Sequence, residues 1–587
     1  MDSTDNNMLE EKKRRLFLLL SVGQIGLLIL ILLFSNVKYE VSDDFMMEMV
    51  ASGAYTGQPD PHIMFSNIIL GWILSFFYRI FPNVSWFFLG QMFICLCSYL
   101  AITYILTHNL KPITATLILI LLVSFTARDF YILPQFTKTA IAASMSGLSL
   151  LIWGVFRRKK WQICVLGGVL ALLGALVRQK AFYIAVAYAG IYAIYKSVCV
   201  LFYKKWKIKD VITRAWFPGI ILLLLVFTCG KVDDFSYKAE SDYNYYREFS
   251  KVRSQIVDYT WVSYGECQEA FEKIGISEND YNMILGWDFA DAKAFSLEKM
   301  NQVLDVVKIY RKNYHPKIMD AFRMIKDRQL HYAIALCCMI LGIVCICLNW
   351  RRIWLPVMAA SITGGFLVYF YCLGRWVYRV EFGLFYCAAI LIICFCNLSF
   401  SNKHLNIGLY AIIVIASFLQ APYYMLNQNW KNMDTSEYRA LVDNIFYYSW
   451  NYDPAKYPTV VMPGKIRPAF LSLINENTDN LYLLDFNTCI QTFYYDFSVF
   501  QSSRVSFPKN VFYFAGVTEY HPSVQAYLSE RQCDNLMDAL LKDNVYFVSN
   551  DSEKMILQFF QEHGKKNVHM LFVNEIDGYQ IWKYVEG

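Results

Sequence analysis

Asp43 and Asp44 are adjacent carboxylates a few residues beyond a long apolar run. A positioned carboxylate can take the proton from a hydroxyl and turn a poor nucleophile into an effective one. The apolar run, residues 16–34, follows Lys12, Lys13, Arg14 and Arg15. Cations flanking a span stay in the cytoplasm, so the N-terminus is expected inside and the Ser42-Asp43-Asp44 step outside. Charge held against the outer membrane face is costly and calls for a use. Side chains of adjacent residues diverge. One aspartate is therefore expected to act as the base and the other to cap the helix beginning near Phe45-Met46-Met47-Glu48. Asp129, beside Arg128, is a second outer carboxylate. His62 and Glu381 are further candidates for contact with a donor or acceptor, although a lone histidine in such a place is more often structural.

Six cations are expected at the outer ends of helices: Arg128, Lys138, Arg178, Lys180, Arg375 and Arg379. The positive-inside rule disfavours them there, and an anionic ligand at the outer interface would explain their gathering. A polyprenyl phosphate or diphosphate is such a ligand, gripped in bidentate fashion by arginine and as a point charge by lysine. Arg375 and Arg379 are four apart and would share one face of a helix. The plainer alternative is snorkelling at the interface, or pairing with Glu381 and Asp129.

The elements that must position these groups are membrane helices. Of the 587 residues, 56% are hydrophobic, and the mean hydropathy is +0.31. The apolar residues fall in long blocks, which marks a polytopic α-helical membrane protein. The net charge is +6, but the basic residues lie in short inter-helix loops, a mark of topology and not of nucleic-acid binding. No small-x-small cleavage pattern follows the first run, which reads as a retained anchor. Most of the 16 cysteines lie inside apolar runs and act as small hydrophobes. No paired CxxC spacing points to zinc, and no nucleotide-binding glycine motif is present. No cofactor is required by any motif, although the carboxylate pair leaves a divalent metal open.

Further apolar runs cover residues 63–80, 86–106, 113–125, 140–156, 163–177, 181–202, 216–229, 332–348, 354–373, 382–396 and 407–419. If every run up to Arg157 crossed the bilayer, the basic cluster at 157–160 would lie outside. The run at 63–80 is bounded by Pro59, Pro61 and Pro82 and is expected to lie along the outer surface instead. About eleven spans plus this juxtamembrane helix then make up a transmembrane domain over 1–421. It carries an outer loop at 36–84 and a helical outer insert at 231–329. The tail, 422–587, alternates strand-like runs (459–462, 481–484, 545–548) with helix-like ones (467–475, 532–541, 552–563). It is expected to be an extracytoplasmic α/β domain with a partly parallel sheet.

This order of first span, acidic outer loop with Asp43-Asp44, juxtamembrane helix, many spans and outer C-terminal domain resembles the GT-C glycosyltransferases. That superfamily includes the protein O-mannosyltransferases, the aminoarabinose transferases and the oligosaccharyltransferase catalytic subunits. The resemblance covers residues 16–419. Asp129 stands where the family often has a second acidic position, and Val177-Arg178-Gln179-Lys180 where a basic residue recurs. Gly53-Ala54-Tyr55-Thr56-Gly57 looks like the loop of bacterial members. Pro59-Asp60-Pro61-His62 replaces the Lys/Arg-Pro-Pro step of the aminoarabinose transferases. The resemblance implies a multi-pass enzyme of the bacterial cytoplasmic membrane. It would move a sugar from a polyprenyl-phosphate donor to an acceptor on the outer face, in cell-envelope glycan synthesis or modification. Glycan, lipid and protein acceptors all remain open. The rival readings are a flippase for lipid-linked glycans, which would need charges buried mid-span, and a non-catalytic scaffold built on the tail.

Overall fold

Each apolar run contributes a helix in the computed structural model, which describes residues 3–35, 37–158, 161–203, 207–348, 350–375, 377–395, 403–420, 468–486, 488–489, 492, 498–514, 516–533, 535–550 and 552–587. The first eight are α1 (Ser3–Phe34), α2 (Ser42–Ser52), α3 (Ile68–Ile80), α4 (Trp86–Asn109), α5 (Pro112–Ala127), α6 (Phe136–Trp153), α7 (Trp161–Val177) and α8 (Gln179–Tyr203). Seven helices among the described residues are long and apolar enough to cross a membrane. Of the other expected spans, Trp161–Val177, Ala333–Cys347 and Ile407–Gln420 are shorter apolar helices, and Phe217–Ala239 is apolar only in its first half.

The helix α6 is buried along its whole length, so the other helices pack around it. Small residues let α7 approach it closely: a Cβ on Gly147 would lie 2.4 Å from the Ala171 nitrogen. Short α2 is also buried, apart from Asp43. It ends at Gly53, whose φ of 77° favours glycine, and a Cβ there would strike the Gln58 carbonyl carbon at 2.3 Å. The 13 residues of α3 rise about 20 Å, short of the roughly 30 Å hydrocarbon core. One face of α3 packs inward through Leu70, Leu74 and Tyr78, while Trp72, Phe76 and Ile80 are exposed.

Helices occupy much of the insert. Phe249, Val252 and Ile256 of Ser241–Val257 and Met300, Val303, Leu304 and Val307 of Leu297–Arg311 form its buried stripes. In the tail, β1 (Leu481–Leu484), β2 (Val511–Tyr513), β3 (Val545–Val548), β4 (Val568–Ile576) and β5 (Tyr579–Glu586) form one sheet in the order β2-β1-β3-β5-β4. The first three strands are mutually parallel, and β5 and β4 add antiparallel. The strand expected at 459–462 lies outside the described residues. The helix expected at 532–541 is cut to Leu536–Ala539, because the backbone turns at Gln532 with φ 56°. The β4–β5 hairpin was not anticipated, although Asp577-Gly578, both at positive φ, is a strong two-residue hairpin signal.

Candidate functional site

A cavity of about 560 Å3 opens where α2, the insert, the loop at Gly374-Arg375 and the tail meet. Asp43 reaches it from the first turn of α2, where the helix dipole favours negative charge. Arg379 enters from the start of Tyr378–Phe395, with Nη2 3.8 Å from Asp43 Oδ2. Arg375 comes from the preceding loop and donates to Asp258 Oδ2 at 3.1 Å. Its guanidinium also lies over the Tyr259 ring, 5.3 Å from the centroid. Arg375 and Arg379 are thus not on one helical face, as their spacing suggested; they converge because the chain turns at Gly374. That glycine has φ 66°, and a Cβ on it would come within 1.7 Å of Thr260 Oγ1. Trp261, Trp287 and Phe486 complete an aromatic wall.

The two aspartates separate. The Asp44 side chain is fully buried, and its Oδ1 accepts from Gln91 Nε2 at 3.0 Å and from the Phe136 backbone nitrogen at 2.8 Å. It therefore satisfies the N-terminus of α6 and not that of its own helix, whose N-cap is Val41 without a side-chain bond. Burial pushes the Asp44 carboxyl well above the usual range, against the opposing hydrogen bonds from Gln91 and Phe136. Asp44 is engaged by Gln91 and the Phe136 nitrogen and does not line the cavity, so Asp43 is the member of the pair placed to act on a group there.

The other expected site residues divide into neighbours of the cavity and residues that belong elsewhere. Arg178 stands behind the cavity, donating from Nη1 to Thr137 Oγ1 at 2.7 Å and stacking on Phe136. Burial, then the nearby Arg379 and Arg375, push it down to about 9. Lys180 shares this field but does not line the cavity. Arg128 opens the π-helical turn Arg128–Ile132 and is also not among the lining residues.

Lys138 is wholly buried between Glu40 and Asp129, 2.9 Å from Asp129 Oδ1. Its charge and that of Asp129 are consumed in this triad, so neither is available to a ligand in the cavity. Glu381 is likewise occupied: it accepts from Tyr332, from Gln329 Nε2 at 3.1 Å and from Arg328 Nη2 at 3.4 Å. His62 places Nδ1 3.1 Å from Asp60 Oδ1 and Nε2 3.1 Å from Ser236 Oγ. Asp60 also accepts from Tyr243 at 2.6 Å and Ser523 at 2.5 Å, so this cluster ties the loop after α2 to the insert and the tail. Burial raises the Asp60 carboxyl, but these hydrogen bonds outweigh it and hold it below its ordinary value.

Sequence reasoning missed Glu40, Asp258 and the aromatic wall. The run Asp258-Tyr259-Thr260-Trp261 in an otherwise polar segment was the available signal. Among the described residues, no three His, Cys, Asp or Glu side chains are grouped to hold a metal ion. The divergence of Asp43 and Asp44 means that the pair is not preset as a chelate.

No family model matches the chain, and no curated protein matches it. Among solved structures it is similar to ArnT from Cupriavidus metallidurans bound to undecaprenyl phosphate. The identity is 9%, over 96% of this chain and 97% of that chain, with a TM-score of 0.37. So loose an overlap carries no residue role from one chain to the other.

Proposed function

We propose that the chain is a membrane glycosyltransferase of the GT-C kind, moving a sugar from a polyprenyl-phosphate-linked donor to a hydroxyl acceptor at the outer membrane face. The observation that carries this reading is the cavity in which the half-buried Asp43 faces Arg379 and Arg375 beside an aromatic wall. The acceptor oxygen attacks the anomeric carbon while its proton passes to Asp43. The bond from that carbon to the phosphate oxygen breaks, and the lipid phosphate leaves with its new charge held by the two arginines. Trp261 offers a flat apolar face for a sugar ring. The expected apolar spans keep the donor's lipid in the bilayer while its head group reaches the cavity.

The test is release of polyprenyl phosphate from a radiolabelled polyprenyl-phosphate sugar by the purified chain in nanodiscs. The donor panel should include hexosyl and pentosyl lipids. Asp43→Asn is expected to slow release by about 10²–10⁴-fold, the usual worth of a general base. Equal turnover by wild type and Asp43→Asn would refute the assignment of the base.

A further inference from the structure

A separate cavity of about 140 Å3 lies among the ends of α6, α8 and the helix Tyr378–Phe395. All three helices begin beside the first cavity: Asp44 holds the start of α6, Arg178 precedes α8, and Arg379 stands at the start of the third. The 18 residues of α6 and of Tyr378–Phe395 each rise about 27 Å, so the two cavities lie at opposite ends of the bundle. Trp153, Phe156, Tyr192, Tyr203 and Phe395 line this one with aromatic rings, and Lys196 is the cation among them. Phe156 belongs to a π-helical turn, Gly154–Arg158, a rare conformation that is frequent at functional sites.

Tyr192, Lys196 and Tyr203 follow one another along one face of α8. Tyr192 forms the floor: it is 1% exposed and stacks on Phe395, with 3.9 Å between ring centroids. Tyr203 stands at the mouth and is 85% exposed. Lys196 lies between them, with Nζ 5.8 Å from the centre of the Tyr192 ring. A lysine near the end of a membrane helix ordinarily extends its ammonium to the interface. Here the ammonium stays by the ring one turn deeper, where charge is costly unless an anion uses it.

The sequence at the mouth is basic, since Arg157-Arg158-Lys159-Lys160 follows Phe156 and Lys204-Lys205 follows Tyr203. An apolar stripe runs beside the pocket: Ile191, Ile194, Val198 and Phe202, three and four residues apart on α8, are all exposed. Trp161, which opens α7 at this same end, is exposed as well, as befits a ring at headgroup level.

We propose that this pocket binds the headgroup of an anionic diacyl phospholipid, with Lys196 on its phosphate and its acyl chains along the stripe. Basic pockets between membrane helices suit such headgroups. A soluble anion would leave the stripe unused, and a zwitterionic lipid would bring no net charge to a basic mouth.

The test counts the lipids retained by the full chain in native mass spectra, after exchange from detergent into an equimolar mixture of phosphatidylglycerol and phosphatidylcholine. Wild type is expected to retain one phosphatidylglycerol, with a preference of roughly 10- to 100-fold, the worth of a charge-assisted contact. Lys196→Gln should erase the preference. Cys199→Phe fills the pocket without changing charge and should erase it too, which covers the case that Lys196→Gln fails to fold. Arg351→Gln neutralises an exposed cation outside the pocket and should leave the preference intact. No preference in wild type, or one that survives both pocket substitutions, overturns the proposal. An equal loss in Arg351→Gln overturns it by showing a diffuse charge effect. Glycerol phosphate and polyprenyl phosphate are added as competitors. Displacement by glycerol phosphate at matched concentration would show a free-anion site, and tighter retention of polyprenyl phosphate a carrier site; either result overturns the phospholipid assignment.

Discussion

Glu48 sits one turn beyond Asp44 on α2 and is 2% exposed. It accepts from the Tyr78 hydroxyl of α3 at 3.0 Å and from the Ser503 backbone nitrogen of the tail at 3.2 Å. The Tyr78 oxygen in turn accepts from the Phe87 nitrogen at the start of α4, at 3.1 Å. One carboxyl therefore joins the helix that carries Asp43 to α3 and to the C-terminal tail. Burial pushes it up to about 8, against the hydrogen bonds from Tyr78, Ser503 and Ser502. The folded value lies above the unfolded one, so stability is fully present below the unfolded value and is lost as pH rises towards the folded value. Between pH 5 and pH 9 the loss integrates to about 4 kcal/mol. Glu48→Gln removes the titration and keeps an acceptor for Tyr78 and Ser503, while its amide can donate to the nearby Ser502. The two proteins should therefore have similar apparent unfolding midpoints at pH 5, and the variant should be the more stable at pH 9. Thermal melts in detergent at a fixed scan rate make the comparison, because unfolding of such a chain can be irreversible. A gap that does not widen with pH, or that favours wild type at pH 9, would refute the buried-carboxyl argument.

Other outcomes follow from the same geometry. Asp44→Asn resembles the protonated acid and should leave both folding and sugar transfer near wild type, whereas Asp44→Ala gives up two buried hydrogen bonds and should destabilise by about 2–4 kcal/mol. Melting curves and the release assay separate the two. Lys138→Met strands Glu40 and Asp129 without their cation and should cost about 3–5 kcal/mol, seen as a lower melting midpoint; an unchanged midpoint would show that the triad is not ionised. In intact cells, Glu575→Cys on exposed β4 should react with an impermeant maleimide, and Lys12→Cys only after permeabilisation. The reverse pattern would invert the proposed orientation.

Much of the helix pattern was legible because it depends on local apolar runs. The same holds for β1 and β3, which are continuous apolar tetrads bounded by polar residues. The fate of individual charges was not legible, because it depends on pairings that no spacing encodes. Lys138 looked like a cation at a helix end, and nothing in its neighbourhood announces Glu40 as its partner. Glu381 was a candidate for contact with a donor or acceptor, and nothing near it in the chain announces Tyr332, Gln329 and Arg328, which occupy it. Asp258 and Trp287 join the cavity only because the insert folds back beside α2. Asp43 and Arg379 were each legible as candidates by charge and position, but their approach to 3.8 Å is a product of the fold.

The separation of Asp43 from Asp44 follows from helix geometry and explains why an adjacent pair serves two purposes. Successive residues of a helix are about 100° apart, while residues four apart are nearly aligned. Asp44 and Glu48 therefore face the same side of α2, and each ends in a buried hydrogen-bonded contact, one with α4 and the start of α6, the other with α3 and the tail. Asp43 is turned away from both anchors and into the cavity. A base must be held to a fraction of an ångström to be useful, and a helix of eleven residues is too short to hold itself. The two buried carboxyls supply that hold, and they do so without a charge penalty only while protonated. Proton uptake at Asp44 and Glu48 thus steadies the helix, while the role proposed for Asp43 requires it to be ionised. Adjacent acids on one short helix can meet both demands only because one stands at the cavity and the others are sealed from water.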